Sequence, residues 1–416
     1  MQLDKAVGGP APTRRHKPDH WLLILSALLL AVGLIVVYSI SPGLAASQGI
    51  SQNYFITKQL ISVGIGIAGF AFAAYIPLSR WRSLAKPLMI ASLIGCLVVM
   101  VTPINATYPA HRWIRFGSFS FQIAELVKLV LVIGLADFLS RQWSRGKLGN
   151  TQTTLKPLVI LLAAIGIVVA KLQSDLGSAG VMIMIMTLMA YSVGVPLKRV
   201  LQFAGLVVIV LVLAISTSSY RRERLTTYLH PESNCQGSGY QACQALISVG
   251  SGGISGLGLG NSVQAYGYLP EASNDSIFAI IAEKFGFIGT AVILFIYGFF
   301  ITRLKSIIEH TPDQFSRLLV VGVMAWLSTQ TIINIGAMIG LLPLKGITLP
   351  LISQGGTSLV FMTGAIGLVY RVSRYTSYSK VEPKLNTHEQ GFNDSSIDGR
   401  RLGRARNAYT ISRPRT

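Results

Sequence analysis

The chain has 416 residues, 51% of them hydrophobic and only 12% charged, against about 25% charged in an average soluble domain. Apolar runs of roughly 17–25 residues recur along it, the length needed to cross about 30 Å of hydrocarbon, and the alternating segments that build a transmembrane β-barrel are absent. The net charge of +20 would point to nucleic acid in a soluble protein; in a membrane protein it first reflects topology, because cytoplasmic loops collect Lys and Arg.

The first span, from Trp21, follows a polar, basic lead and has no small-residue cleavage site after it, so it reads as a retained helix and not as a removed signal peptide. About ten spans follow from the apolar runs, near 21–41, 58–76, 84–103, 122–140, 155–171, 175–195, 199–217, 276–301, 316–341 and 350–372. The expected fold is therefore an all-α polytopic membrane protein. Of the 36 Lys and Arg residues, 26 fall on the loops that share a side with the termini and 8 on the opposite loops, which puts both termini in the cytoplasm. The chain divides into a cytoplasmic segment 1–20, a ten-helix membrane domain 21–375 and a tail 376–416. That tail is polar, basic and poor in apolar residues, so it reads as disordered. Its RRLGRAR run could touch anionic lipid of the inner leaflet.

The longest connection, 217–276 between the seventh and eighth spans, faces outside on this topology. It carries the glycine-rich run GSGGISGLGLG, the pair Pro270-Glu271 and a small polar cluster with Asp275 immediately before the eighth span. Asp275 could cap that helix. Alternatively, a helix N-terminus would lower its pKa and keep it ionised, as a general base requires. Cys235 and Cys243 bracket QGSGYQA. Outside the cell a disulfide is permitted there, contributing about 2–3 kcal/mol for so short a loop, and two separate thiols are the alternative. Cys96 lies in an apolar span and reads as packing. No zinc site is expected, since His230 is the only nitrogen ligand near the two cysteines.

Four polar clusters lie in the outer half of the spans or beside it, where charges usually face a bundle interior or a watery cavity. The segment HRWIRFGSFSFQ, with Arg112, is amphipathic and basic at the outer interface. Glu125 and Lys128 are three apart on one face of the fourth span, within pairing reach. Gln173 and Asp175 occupy the tight turn KLQSDLGS. In the last hairpin, Lys345 stands between two prolines, with Ser353, Gly355 and Gly356 after them; such backbone at membrane depth implies a broken helix lining a cavity. Each cluster could equally be a structural ion pair or helix cap.

At these clusters the sequence resembles the SEDS family, the FtsW/RodA/SpoVE membrane proteins of bacterial cell-wall synthesis, over roughly residues 20–375. HRWIRFGSFSFQIAELVKL, LQSDLGSAG, YRRERLTTYLHPE, YLPEASNDSIFAIIAEKFGFIG and LLPLKGITLPLISQGGTSL carry the resemblance, and GLGNSVQ with YLPEA is closer to the FtsW type than to the RodA type. Ser273, Asn274 and Ser276 replace the His-Thr and Phe that the family usually places around its aspartate, and Gln354 replaces a Tyr.

The resemblance implies a peptidoglycan glycosyltransferase that polymerises lipid II at the outer face of the cytoplasmic membrane, for septal wall synthesis. It also implies a class B penicillin-binding transpeptidase and other division proteins as partners, and no nucleic acid. The family's catalytic aspartate falls on Asp275, and its other site residues on Arg112, Glu125, Lys128, Gln173, Asp175 and Lys345. Glu271, Ser353, Arg221 and Arg224 complete the candidate substrate site, with the outside-face cations able to hold a leaving pyrophosphate. A divalent cation, Mg or Mn, could share that charge, but no ligand cluster demands one. A lipid II flippase and a non-catalytic division scaffold are the competing expectations.

Overall fold

The computed structural model describes residues 17–101, 112–116, 119–202, 205, 216, 226–230 and 234–376. Most of the expected seventh span, Arg221, Arg224 and the basic tail lie outside the described residues.

Helix α1 (His20–Gln48) opens on Asp19, whose carboxylate accepts from the Trp21 N–H, and closes on Gly49 in the left-handed region. It outruns its expected end at residue 41 and passes through Pro42, because Leu44 and Ala45 beyond the proline are still buried. Helices α2 (Tyr54–Tyr75) and α3 (Leu78–Val101) follow. Lys58, Arg80, Arg82 and Lys86, expected in loops, therefore sit in the end turns of helices. Arg82 folds back onto Asp137, Nε to Oδ1 2.8 Å.

The all-α expectation needs one correction. Trp113–Phe116 and Phe119–Gln122 pair as an antiparallel hairpin, β1 and β2, with Trp113 opposite Gln122. The period-two alternation of WIRF and FSFQ about Gly-Ser suits a hairpin rather than a helix. Helix α4 (Ile123–Ser144) starts directly from β2. Helix α5 (Lys156–Ile165) is flanked by π-helical turns over Thr151–Leu155 and Gly166–Leu172, and α6 (Leu176–Ser192) follows.

Within the long connection, helix α7 (Tyr240–Ser251) begins beside a disulfide joining Cys235 to Cys243, whose Cα atoms are 5.6 Å apart. Helix α8 (Ile277–His310) is interrupted at Gly286 (φ 62, ψ −162). Helix α9 (Gln314–Met338) is buried on nearly every face. Helix α10 (Thr357–Ser373) starts seven residues later than expected, since residues 339–356 form irregular backbone around Pro343, Gly346 and Pro350. Among the described residues six helical stretches are long and apolar enough to cross a membrane, and α6 and α10 are shorter apolar helices. The start of α1 and the end of α10 meet at one end of the bundle. There the Asp19 N–H donates to Ser373 Oγ (3.1 Å), and Arg303 Nη2 of α8 donates to Asp19 Oδ2 (2.6 Å).

The glycine-rich turn after α7 lies backbone to backbone on α8. Leu257 and Gly258 N–H groups donate to the Glu283 and Lys284 carbonyls, each at 2.9 Å, and the Phe287 N–H donates to the Gly253 carbonyl at 2.9 Å. A Cβ on Gly256 (φ 81) would stand 2.2 Å from the Lys284 carbonyl oxygen. Gly256→Ala should therefore lose about 2–4 kcal/mol through the clash and the left-handed backbone. Gly260→Ala, which meets nothing within 4 Å, should stay near wild type. The melting temperatures of the two purified variants check this, and equal values would remove the close-approach explanation.

Candidate active site

The residues before α8 have no regular structure of their own, so something else must hold them. Glu271 sits in the left-handed region (φ 53), uncommon for a residue with a side chain. Its carbonyl accepts from the Asn274 and Ser276 N–H groups at 2.9 and 3.2 Å. The next carbonyls outward are each held by a different donor. Ser273 O accepts from the Gln354 N–H (2.9 Å). Asn274 O accepts from Ser353 Oγ (2.6 Å), and Asp275 O from Asn334 Nδ2 (2.7 Å). Asn334 also donates to the Ile347 carbonyl (2.6 Å), and Ser353 Oγ accepts from the Leu349 N–H (2.8 Å). Gln354 Nε2 reaches the Phe55 carbonyl of α2 (2.6 Å). The acid-bearing loop and the irregular stretch carrying Lys345 are thus stitched together over the end of α9.

Between them is a small cleft lined by Asp275, Asn334, Lys345 and Gly346, with Met338 and Leu344 among its apolar walls. Asp275 is only 8% exposed, and its Oδ1 has no hydrogen-bond partner. Gly346 (φ 65) leaves room beside the acid, since a Cβ there would stand 3.7 Å from Oδ2.

This geometry corrects two expectations for Asp275. It does not cap α8: the cap position belongs to Ser276, which makes no side-chain cap bond. Nor is its pKa lowered by the helix. Burial, and then the neighbouring Glu271 charge, push it up to about 7, because an ionised carboxylate loses solvation in the cleft.

The other candidates form two further groups. The Arg112 guanidinium donates to the Gln173 and Ser174 carbonyls. Asp175 caps α6 through the Ser178 N–H (2.9 Å) and accepts from Gln122 Nε2 (3.1 Å). This turn reaches the cleft's wall, since a Cβ on Gly177 would stand 2.9 Å from both the Lys345 carbonyl and Ile347. Glu125 and Lys128 pair with each other at 2.7 Å, fully buried, and do not line the cleft. Lys128 Nζ lies 5.5 Å from the Trp326 ring centroid. From there the polar contacts run on through Gln330 to Ser358 (3.5 Å), which accepts from Thr348 Oγ1 (2.9 Å).

Asn334 and Gln330 were missed in the sequence. The available signal was a polar stripe at 326, 330 and 334 on one face of an otherwise apolar span. Among the described residues no three His, Cys, Asp or Glu side chains converge as a metal site. Glu271, at the start of the acid-bearing loop, accepts from Asn274 Nδ2 (2.5 Å).

The family described as "Cell cycle protein", which unites FtsW, RodA and SpoVE, matches residues 19–378. Stage V sporulation protein E of Bacillus subtilis is 36% identical over 370 residues, covering 88% of this chain and all of that protein. A protein of Coxiella burnetii named probable peptidoglycan glycosyltransferase FtsW is 37% identical over 366 residues, covering 86% of this chain and 96% of its own. A chain of a solved peptidoglycan synthase complex, described for the coordination of polymerization and crosslinking, superposes with a TM-score of 0.70 at 25% identity, over 87% of this chain and 99% of that one. Matched over almost all of its helical body, the chain belongs to the FtsW/RodA/SpoVE family of cell cycle proteins, the SEDS family.

Proposed function

We propose that this chain is a peptidoglycan glycosyltransferase that joins lipid II units into glycan strands, with Asp275 as its general base. The observation that carries the reading is a nearly buried carboxylate, one oxygen of it without a hydrogen-bond partner, that shares a cleft with Lys345 at the end of the bundle. A base with a pKa near 7 matches the operating pH, where proton transfer is most effective. Asp275 takes the proton from the acceptor sugar's hydroxyl. That oxygen forms the new bond to the donor's anomeric carbon, and the bond from that carbon to pyrophosphate breaks. The leaving polyprenyl pyrophosphate gathers negative charge, which Lys345, Arg221 and Arg224 stabilise. The polyprenyl tail remains in the bilayer, and the apolar cleft walls suit a substrate approaching from lipid.

In this reading Asn334 and Ser353 position the base, and Glu271 raises its pKa. Arg112, Gln173 and Asp175 fix the turn behind the Lys345 stretch, and the Glu125–Lys128 pair sets the packing of α4 on α9. Ten spans, both termini in the cytoplasm, residues 217–276 outside and a position at the septum complete the proposal; the relatives named FtsW support it. The likeness to a synthase complex coordinating polymerization with crosslinking supports a class B penicillin-binding transpeptidase as the partner.

Three measurements test the assignment. Asp275→Asn keeps the size but cannot accept a proton, so polymerisation of labelled lipid II by the purified protein with its partner should fall about 10²-fold or more. Near-wild-type chains would remove the catalytic role and leave a scaffold. If lipid II translocation were lost instead, while another enzyme supplied polymerisation, the chain would be a flippase.

The pH dependence has a definite sign. The base form appears only as pH rises through about 7, so kcat/KM should climb up to that pH and then level off. Stability runs the other way. The folded chain holds this proton more tightly than the unfolded one. Asp275's contribution is therefore fully present below about pH 4 and is lost as pH rises to about 7. A flat kcat/KM profile between pH 5 and 8 would contradict the raised pKa.

Asn334→Ala removes the donor to two buried carbonyls, at a cost of about 1–3 kcal/mol for each group left unsatisfied. Turnover should fall far more than the melting temperature, since the base is loosened without being removed. An unchanged kcat in a folded Asn334→Ala protein would show that this grip is not needed.

A further inference from the structure

No charged residue occurs between Tyr240 and Pro270, although this stretch lies in the longest connection of the chain. Its placement along α8 explains why. Gln241 Nε2 donates to Ser276 Oγ (3.1 Å) at the head of α8, and Ser248 Oγ donates to the Ala279 carbonyl (3.0 Å). Gly252 lies on the Ala282 carbonyl. The Phe287 and Ile288 N–H groups donate to the Gly253 and Ile254 carbonyls at 2.9 and 3.1 Å. As the chain runs from 241 to 254, its partners on α8 run from 276 to 288. The unbroken first part of α8, from Ser276 to Phe285, advances about 14 Å, close to half of a hydrocarbon core of about 30 Å. The glycine turn therefore lies far along the spanning helix from Asp275 and does not project away into water.

The turn is built for a place without water. Its backbone groups pair with those of the interrupted α8, which lipid demands of any irregular segment. The two charges beside it are bound by it. Glu283 accepts from Ser262 Oγ and the Val263 and Gln264 N–H groups, and Lys284 Nζ donates to the Leu259 carbonyl. The large side chains that the turn leaves uncovered are apolar, with Ser251, Ser255 and Asn261 exposed among them. Ile254 is 74% exposed, with Leu257, Leu259 and Val263 also open, and this surface runs on into Phe287, 71% exposed, on α8.

We propose that α7 and the turn through Leu259 form a re-entrant segment that enters the outer leaflet beside α8 and presents Ile254, Leu257 and Leu259 to lipid acyl chains. This rests on the outside placement of residues 217–276, and the test separates the two. In full-length Cys96→Ser protein with the Cys235–Cys243 bond intact, a nitroxide is attached at Ile254→Cys or at Ser238→Cys, and the protein is placed in lipid nanodiscs without a partner. Dissolved oxygen, which enters hydrocarbon, and a water-soluble nickel complex, which does not, compete to relax each spin.

The oxygen-to-nickel ratio at 254 should exceed that at 238 by roughly tenfold, as exclusion of polar solutes from hydrocarbon requires. Preference for nickel at 254 would place the turn in water and overturn the proposal. Shielding from both reagents would mean that protein covers it, which overturns it equally. In intact cells an impermeant thiol reagent should label position 238. Labelling only after lysis would move the segment to the other leaflet, whatever the depth at 254.

Discussion

Three successive carbonyls, those of Ser273, Asn274 and Asp275, are each held by a donor from elsewhere in the chain: the Gln354 N–H, the Ser353 hydroxyl and the Asn334 amide. The segment that carries the acid has neither helix nor strand to hold it. Without these three bonds its backbone groups would be buried and unsatisfied, and the carboxylate would have no fixed direction. A general base must be fixed to well under 1 Å to contribute its full effect. The donors are fixed in turn. Ser353 is braced by the Leu349 N–H and Gln354 by its bond to α2. Asn334 stands on α9, the helix around which the bundle packs, and α9 is capped at its far end by Asp313.

The acids of the chain divide by their surroundings. Glu283 accepts three hydrogen bonds, and Asp175 caps a helix while taking a bond from Gln122. Glu125 has a lysine at 2.7 Å. Asp19 and Asp137 each hold arginines. All five have hydrogen-bond or ion-pair partners on their carboxylates. Asp275 differs: its Oδ1 has no donor, and burial outweighs every favourable contact it has. Removing one partner of a buried pair such as Glu125–Lys128 is costly, so a loss of activity on mutating either residue carries a structural part that must be measured separately. Asp275 is the acid whose burial works against ionisation.

Spans, motifs and the position of the acid were legible because they depend on apolar length and on local residue patterns. The ends were less so. α1 continues through Pro42 since burial of Leu44 and Ala45 outweighs the lost N–H, and α10 starts late since Ser353 and Gln354 before it bind the acid-bearing loop. The hairpin at 113–122 is written in alternation too short to compete with a helical reading of an apolar chain. The pKa of Asp275 was misjudged because a helix N-terminus is visible in sequence, whereas the direction of a carboxylate and the loss of its water are not. Asn334 escaped attention because an uncharged polar residue in a span carries no sign of which carbonyl it will meet.

The break at Gly286 connects the site to the glycine turn. Its backbone angles, φ 62 and ψ −162, lie in a region reserved for glycine, and a Cβ there would stand 2.4 Å from the Gly256 nitrogen. A helix broken at this point cannot align its first turns with the rest of the span by its own hydrogen bonds. The first turns of α8, with Ser276 and Asp275 at their head, are aligned instead by α7 and its turn, through Gln241, Ser248 and the paired backbone of 253–258. The long connection is therefore part of the scaffold of the base. It fixes the acid from one side while Asn334 and Ser353 fix it from the other. Ile254 and the head of α8 are thereby joined through one hydrogen-bonded unit.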